Sequence, residues 1–178
     1  MDVSRFWQII EESRSDFDPH RRDGNMDLQV MRLRKTLSQF RPQEVAEFDH
    51  VFSRLFHDAY RWDLWAAAYI IEGGCSDDGF TDFRYWLISM GRDAYMNAMH
   101  DVETLASIAF GSGIEVTRFE EFGSVASQIL YKAHPDFHDD LPIIKHPQEP
   151  AGKAWEDEDL EQRFPRLWSA ARDFQSRD

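Results

Sequence analysis

The chain reads as all-α, a compact orthogonal or irregular bundle of about six to eight helices with a long proline-rich C-terminal surface segment. Three observations predict this. Apolar residues recur at intervals of three and four along most of the 178 residues. Glycine, proline and cap-forming residues fall between those runs, and no alternating run is long enough to demand a sheet. The length suits one domain with a buried core. It is laid out as a helical body over 1–134, an extended proline-rich and acidic segment over 135–163 and a C-terminal helix over 164–175.

The first helix is signalled by Val3, Phe6, Trp7, Ile9 and Ile10 at helical spacing, with Asp2 or Ser4 available to cap its free amides. It ends near Ser13, and SRSDFDPHRRDGN reads as a loop. Leu28, Val30 or Met31, Leu33 and Leu37 carry the second helix, with Asn25 or Asp27 as its cap. Pro42 opens the third at the first helical position, where its missing amide would have had no partner. Val45, Phe48, Phe52, Leu55, Ala59 and Trp62 form one stripe, and no glycine or proline interrupts before Gly73. Taken as continuous this is a helix of about 45 Å, with a bend or break expected near Arg61 to Leu64. From Trp65 to Ile71 apolar residues cover the whole circumference, which places this segment at the centre.

Gly73 and Gly74 supply the positive φ that ends that helix, and Ser76 or Asp77 caps the next, with Phe80, Phe83, Trp86, Leu87 and Met90 at helical spacing. Short helical patterns follow at Tyr95 to Met99 and Val102 to Ala109. Phe122, Val125, Ala126, Ile129, Leu130 and Ala133 predict a helix of about three to four turns starting at Glu120, stopped at His134-Pro135. PDFHDDLPIIKHPQEP holds four prolines and reads as a surface segment pinned by Leu141, Ile143 and Ile144, while AGKAWEDEDLEQ is acidic and solvated. Phe164-Pro165 starts the last helix, with Leu167, Trp168, Ala171 and Phe174 on one face.

Twenty Lys and Arg against 33 Asp and Glu leave a formal charge of −13. That charge opposes approach to phosphate backbones and anionic lipid, so neither nucleic acid nor membrane is expected as a partner, whereas a protein with a basic surface is. Cys75 is the sole cysteine, so no internal disulfide forms and a reducing compartment fits better than a secreted one. The amino terminus lacks the basic start and apolar run of a signal peptide. No apolar stretch approaches the ~20 residues needed to cross a bilayer. Cytoplasmic location is the expectation.

The chemistry-bearing residues crowd the turn between the two most apolar helices. Glu72, Asp77, Asp78 and Asp82 suit either oxygen ligation of a hard divalent cation or paired acid and base work. Capping and the helix macrodipole account for the same acids in a first turn. Cys75 precedes a helix N-terminus, which lowers a thiol's pKa, but the neighbouring acids push the other way. Arg84 is a charge inside the apolar run FRYWLI. If buried it requires a carboxylate, with Asp63, Asp77 and Glu72 as candidates, or it anchors an anionic ligand. Asp77, Asp78, Asp82, Arg84 and Cys75 are therefore the candidate ligand-binding residues. No catalytic residue, resident metal site or cofactor motif is assigned. Trp62, Trp65, Tyr69, Phe80, Phe83 and Trp86 suit a planar-ligand pocket, or, as such stripes usually do, a core. His50 and His57, seven apart, are too distant for one metal and read as solvent-facing or interaction residues. His134, His138, Asp139 and His146 have ligand-like chemistry, but Pro135 breaks the helix that would align the first two.

The run GGCSDDGFTDFRYWLISMGRDAY, with AYRWDLWAAAYII before it, resembles the bacterial domain-of-unknown-function family 4240. FWQIIEESR, the Phe-rich helix, EEFGSVASQILYK and RFPRLW fall in that family's order. The resemblance implies a small cytosolic bacterial domain and brings no reaction, cofactor or partner. A protein-interaction or regulatory module is the expected function. The alternative is a small enzyme or ligand binder using the turn from Glu72 to Arg84 for a divalent metal or an anionic ligand.

Overall fold

In the computed structural model, which describes residues 1–176, the Asp2 carboxylate accepts from the Arg5 amide at 2.9 Å and starts α1 (Val3–Ser13), as expected of a cap. α2 (Asn25–Leu37) is entered through Gly24 at φ 84 rather than through a side-chain cap. The Asn25 amide is engaged elsewhere, donating to the carbonyls of Asp18 (2.9 Å) and Gly113 (3.0 Å) and so clasping two loops together. Pro42 stands at the first position of α3 (Pro42–Asp58), and α4 (Trp62–Glu72) follows.

The long apolar run is thus two helices, parted over residues 59–61, which overlaps at Arg61 the place where a bend or break was expected. No local breaker does this. Arg61 is extended (φ −137, ψ 144), and its neighbours are clamped by a segment far along the chain. The Trp62 amide donates to the Ala151 carbonyl, and the Ala151 amide to the Tyr60 carbonyl, both at 2.9 Å. Trp155 adds a bond from its indole to the Trp62 carbonyl at 2.8 Å.

Gly73, in the left-handed region at φ 68, closes α4, and the Ser76 hydroxyl accepts from the Gly79 amide at 3.1 Å to open α5 (Asp77–Ser89). Next come α6 (Arg92–His100) and a 3-10 turn over Val102–Ser107, where a short helix from Val102 to Ala109 was expected. The helix expected from Glu120 to Ala133 is split at Ser124 into α7 (Glu120–Gly123) and α8 (Val125–Ala133). An irregular run leads to a 3-10 turn at Asp157–Asp159, α9 (Leu160–Arg163) and α10 (Pro165–Gln175). Here too the acidic stretch is more structured than its composition suggests. Leu160 is buried in the core beside Phe164 and Leu167. Among the described residues there is no strand, only one isolated bridge between Arg61 and Ala151. The fold is all-α.

One apolar cluster joins helices from both ends of the chain. The aromatic stripe forms a stacked ladder through it. Trp62 lies on Trp65 (5.5 Å between centroids), Trp65 on Phe80 (5.0 Å) and Phe80 on Phe83 (6.3 Å), and Phe83 meets Trp86 at a tilt of 39° (5.3 Å). Such offset rings supply both area and directional contact. Among the described residues no helix is long and apolar enough to cross a membrane.

Candidate functional site

The turn from α4 to α5 does not draw its acids together. Glu72 swings away from the aspartates and ion-pairs with Arg118, whose Nε lies 2.7 Å from its carboxylate; the Thr117 hydroxyl also donates to it at 3.0 Å. Asp77 and Asp78 are exposed on the first turn of α5, and Asp82 is half-buried one turn later. Among the described residues no group of three or more His, Cys, Asp or Glu is placed to hold a metal ion.

Cys75 is half-buried, with its carbonyl accepting from the Trp65 indole at 3.1 Å. Burial first, and Glu72 next, push its thiol up to about 12. The helix N-terminus does not offset this, so almost no thiolate exists at neutral pH. An Ellman-type assay should therefore show Cys75 reacting roughly a hundredfold or more slowly than a free cysteine at neutral pH. Glu72→Gln should quicken the reaction by removing one of the raising influences; unhindered reaction in the native chain would contradict the geometry.

Arg84 is 1% exposed. None of the three carboxylates considered for it is its partner. Asp63 binds Arg61, Glu72 binds Arg118, and exposed Asp77 acts only through space. Instead Nη1 donates to the Phe56 carbonyl (3.3 Å), Nε to the Phe80 carbonyl (3.4 Å) and Nη2 to the Thr81 hydroxyl (3.2 Å). The rings of Phe56 (3.8 Å), Tyr60 (4.8 Å) and Phe80 (4.9 Å) enclose the guanidinium. Burial lowers its pKa to about 10, which leaves it charged at neutral pH. A planar, weakly hydrated cation tolerates this where an ammonium would not.

What the fold does assemble is an acidic groove of about 580 Å3 between α5 and α7–α8. Asp78 and Asp82, four apart, form one wall; Glu120, Ser124 and Ser127 form the other, with Tyr85 between them. The loop before α7 is fastened to α5 by the Phe119 amide, which donates to the Asp82 carbonyl at 3.1 Å. Gly123 lets Tyr85 close the groove floor, since a Cβ there would lie 2.6 Å from the ring. Burial and then Glu120 raise the pKa of Asp82, and burial raises that of the Tyr85 phenol. Glu120 and the two serines were not singled out from sequence as site residues. Glu120 reads there as a helix start, and only the Phe119–Asp82 bond reveals that it faces Asp82.

No curated protein and no solved structure matches the chain. Residues 1–132, which include α1 to α7, most of α8 and the whole acidic groove, match the family model described as a protein of unknown function (DUF4240), and the chain belongs to that family.

Proposed function

We propose that the chain is a protein-binding module whose groove between α5 and α7–α8 receives a basic segment of a partner. The carrying observation is the set of Asp78, Asp82 and Glu120, which face one open groove without a cationic partner among the described residues. Burial first, and the charges of Glu120 and Asp78 beside it, raise the pKa of Asp82, and Arg118 offsets only part of this. A lysine or arginine side chain entering the groove relieves the repulsion among these carboxylates, while the Thr81, Ser124 and Ser127 hydroxyls offer acceptors to the remaining donors. The net charge of −13 steers such a partner and speeds its arrival. A cytoplasmic accessory or regulatory role fits the lone, unreactive cysteine.

Calorimetry with a lysine- and arginine-rich peptide tests this. Binding should fall steeply with added salt. Asp78→Asn and Asp82→Asn should each weaken it roughly fivefold or more, while Asp93→Asn, an exposed acid on α6, should leave it nearly unchanged. No binding at low salt, or equal losses for all three variants, would reduce the effect to general charge and end the reading.

A further inference from the structure

After α8 the chain runs irregularly from 134 to 156, and none of these residues is buried. It is fastened at both ends, by the His134 amide on the Leu130 carbonyl (2.9 Å) and by Ala151 between Tyr60 and Trp62. Between those points, among the described residues, no backbone group of 138–150 bonds to the helices. Only side chains hold it against α3. Asp49, Ser53 and His57 are four apart and share one face of that helix. They floor a cleft of about 230 Å3 whose other wall is Asp139, Leu141 and Ile144.

The two ends of this cleft carry pairs of like groups, two carboxyls at one end and two imidazoles at the other. At one end Asp49 on α3 faces Asp139 on the segment. At the other, the rings of His57 and His146 meet edge to face at 5.0 Å, with Tyr60 against His146 at 4.8 Å. His57 Nδ1 is buried without a hydrogen-bond partner. His146 donates its own Nδ1 proton to the Pro147 carbonyl at 2.6 Å.

We infer that residues 138–147 form a rocking strap across α3, its Asp139 end seated and its His146 end lifted in acid, the two ends changing places towards neutral pH. A charged His57 under the seated strap has no acceptor for its Nδ1 proton. Of the groups facing it, His146 from the strap and Arg84 from α5 oppose a positive charge, and only Asp58 on its own helix favours one. Burial first, then His146 and Arg84, hold His57 below its ordinary value against the pull of Asp58. The proton therefore binds better once the strap has lifted, so falling pH lifts the His146 end.

At the other end burial, then Asp139, raise Asp49 to about 6. The Tyr85 phenol from α5 also lies within its field, and Lys132 on α8 is exposed. Asp49 holds its proton best with the strap seated. Seating is favoured while Asp49 is protonated and is lost as pH rises towards that value. A segment without backbone bonds to the body is free to tilt between the two states. The strap stands apart from the acidic groove, so either reading survives failure of the other.

The test is electron paramagnetic resonance on the full chain carrying Cys75→Ser, with a nitroxide on Asp140→Cys or on Lys145→Cys, both exposed positions. Spectra are compared over the pH range in which circular dichroism shows the helices intact. The label at 145 should gain mobility as pH falls. The label at 140 should lose it, with a midpoint near about 6. Asp49→Asn should abolish the response at 140, and His57→Gln should abolish or shrink that at 145. Labels that move in the same direction, stay unchanged, or keep their responses in both variants overturn the proposal.

Discussion

Replacing Arg84 by alanine is expected to cost about 3 to 5 kcal/mol of folding stability, read from the shift in a urea midpoint at constant slope. Two losses combine. The side chain is 1% exposed, so its removal leaves a void between Phe56, Tyr60 and Phe80 that those rings cannot readily close. The Phe56 carbonyl, in the last turn of α3, also loses the Nη1 donor. A guanidinium at that point serves the negative end of α3's macrodipole as well. Arg84→Lys should recover only part, because an ammonium cannot lie flat among three rings and still reach both carbonyls. Arg84→Met should be milder than alanine, since it fills the volume and spares the desolvation of a charge. A loss below about 1 kcal/mol for alanine would show that the cage contributes little.

Gly113→Ala should cost roughly 2 to 4 kcal/mol in the same assay. At φ +80 the residue sits where side chains are strained. Its added Cβ would lie 2.8 Å from the Asp18 carbonyl oxygen and 2.9 Å from both the Phe17 ring and the Pro19 Cα. Two of those three contacts are main chain, so the loops must separate, breaking the Asn25 clasp that bonds Asp18 to Gly113. Gly74→Ala is the control: φ is +135 there too, but no atom lies within 4 Å, so only the conformational cost remains. If the two substitutions cost the same, crowding between the loops is unimportant.

Helix starts and stops were readable wherever a single residue decides them. Asp2 and Ser76 cap with their own side chains, Pro42 and Pro165 occupy first positions, and Gly73 turns left-handed. The clearest errors fall where a distant segment overrides local preference. The run's length alone suggests a break near Arg61 to Leu64; no glycine or proline from Phe56 to Trp65 places it, because Ala151 does. The split at Ser124 adjoins Gly123, where the Tyr85 ring approaches the backbone too closely for a Cβ, an approach no spacing rule encodes. The same holds for the sites. Sequence proximity grouped Glu72 with the aspartates, yet Arg118 draws it aside and Glu120 takes its place. Arg84 was recognised as anomalous but assigned carboxylates, since cation–π enclosure depends on rings from α3, from the link after it and from α5 converging in space. His57, read as solvent-facing or as an interaction residue, lies half-buried against His146 for a like reason.

The clamp between Trp62 and the segment at 151–155 also bears on the order of assembly. Its two sides are 93 positions apart at the Trp155 contact, so during synthesis α3 and α4 emerge and begin to pack long before the residues that part them exist. A nascent chain can extend α3 unbroken through Arg61. Completing the molecule then requires the arriving Ala151 to unwind a turn already made, a long-range closure of the kind that sets the slowest step in folding.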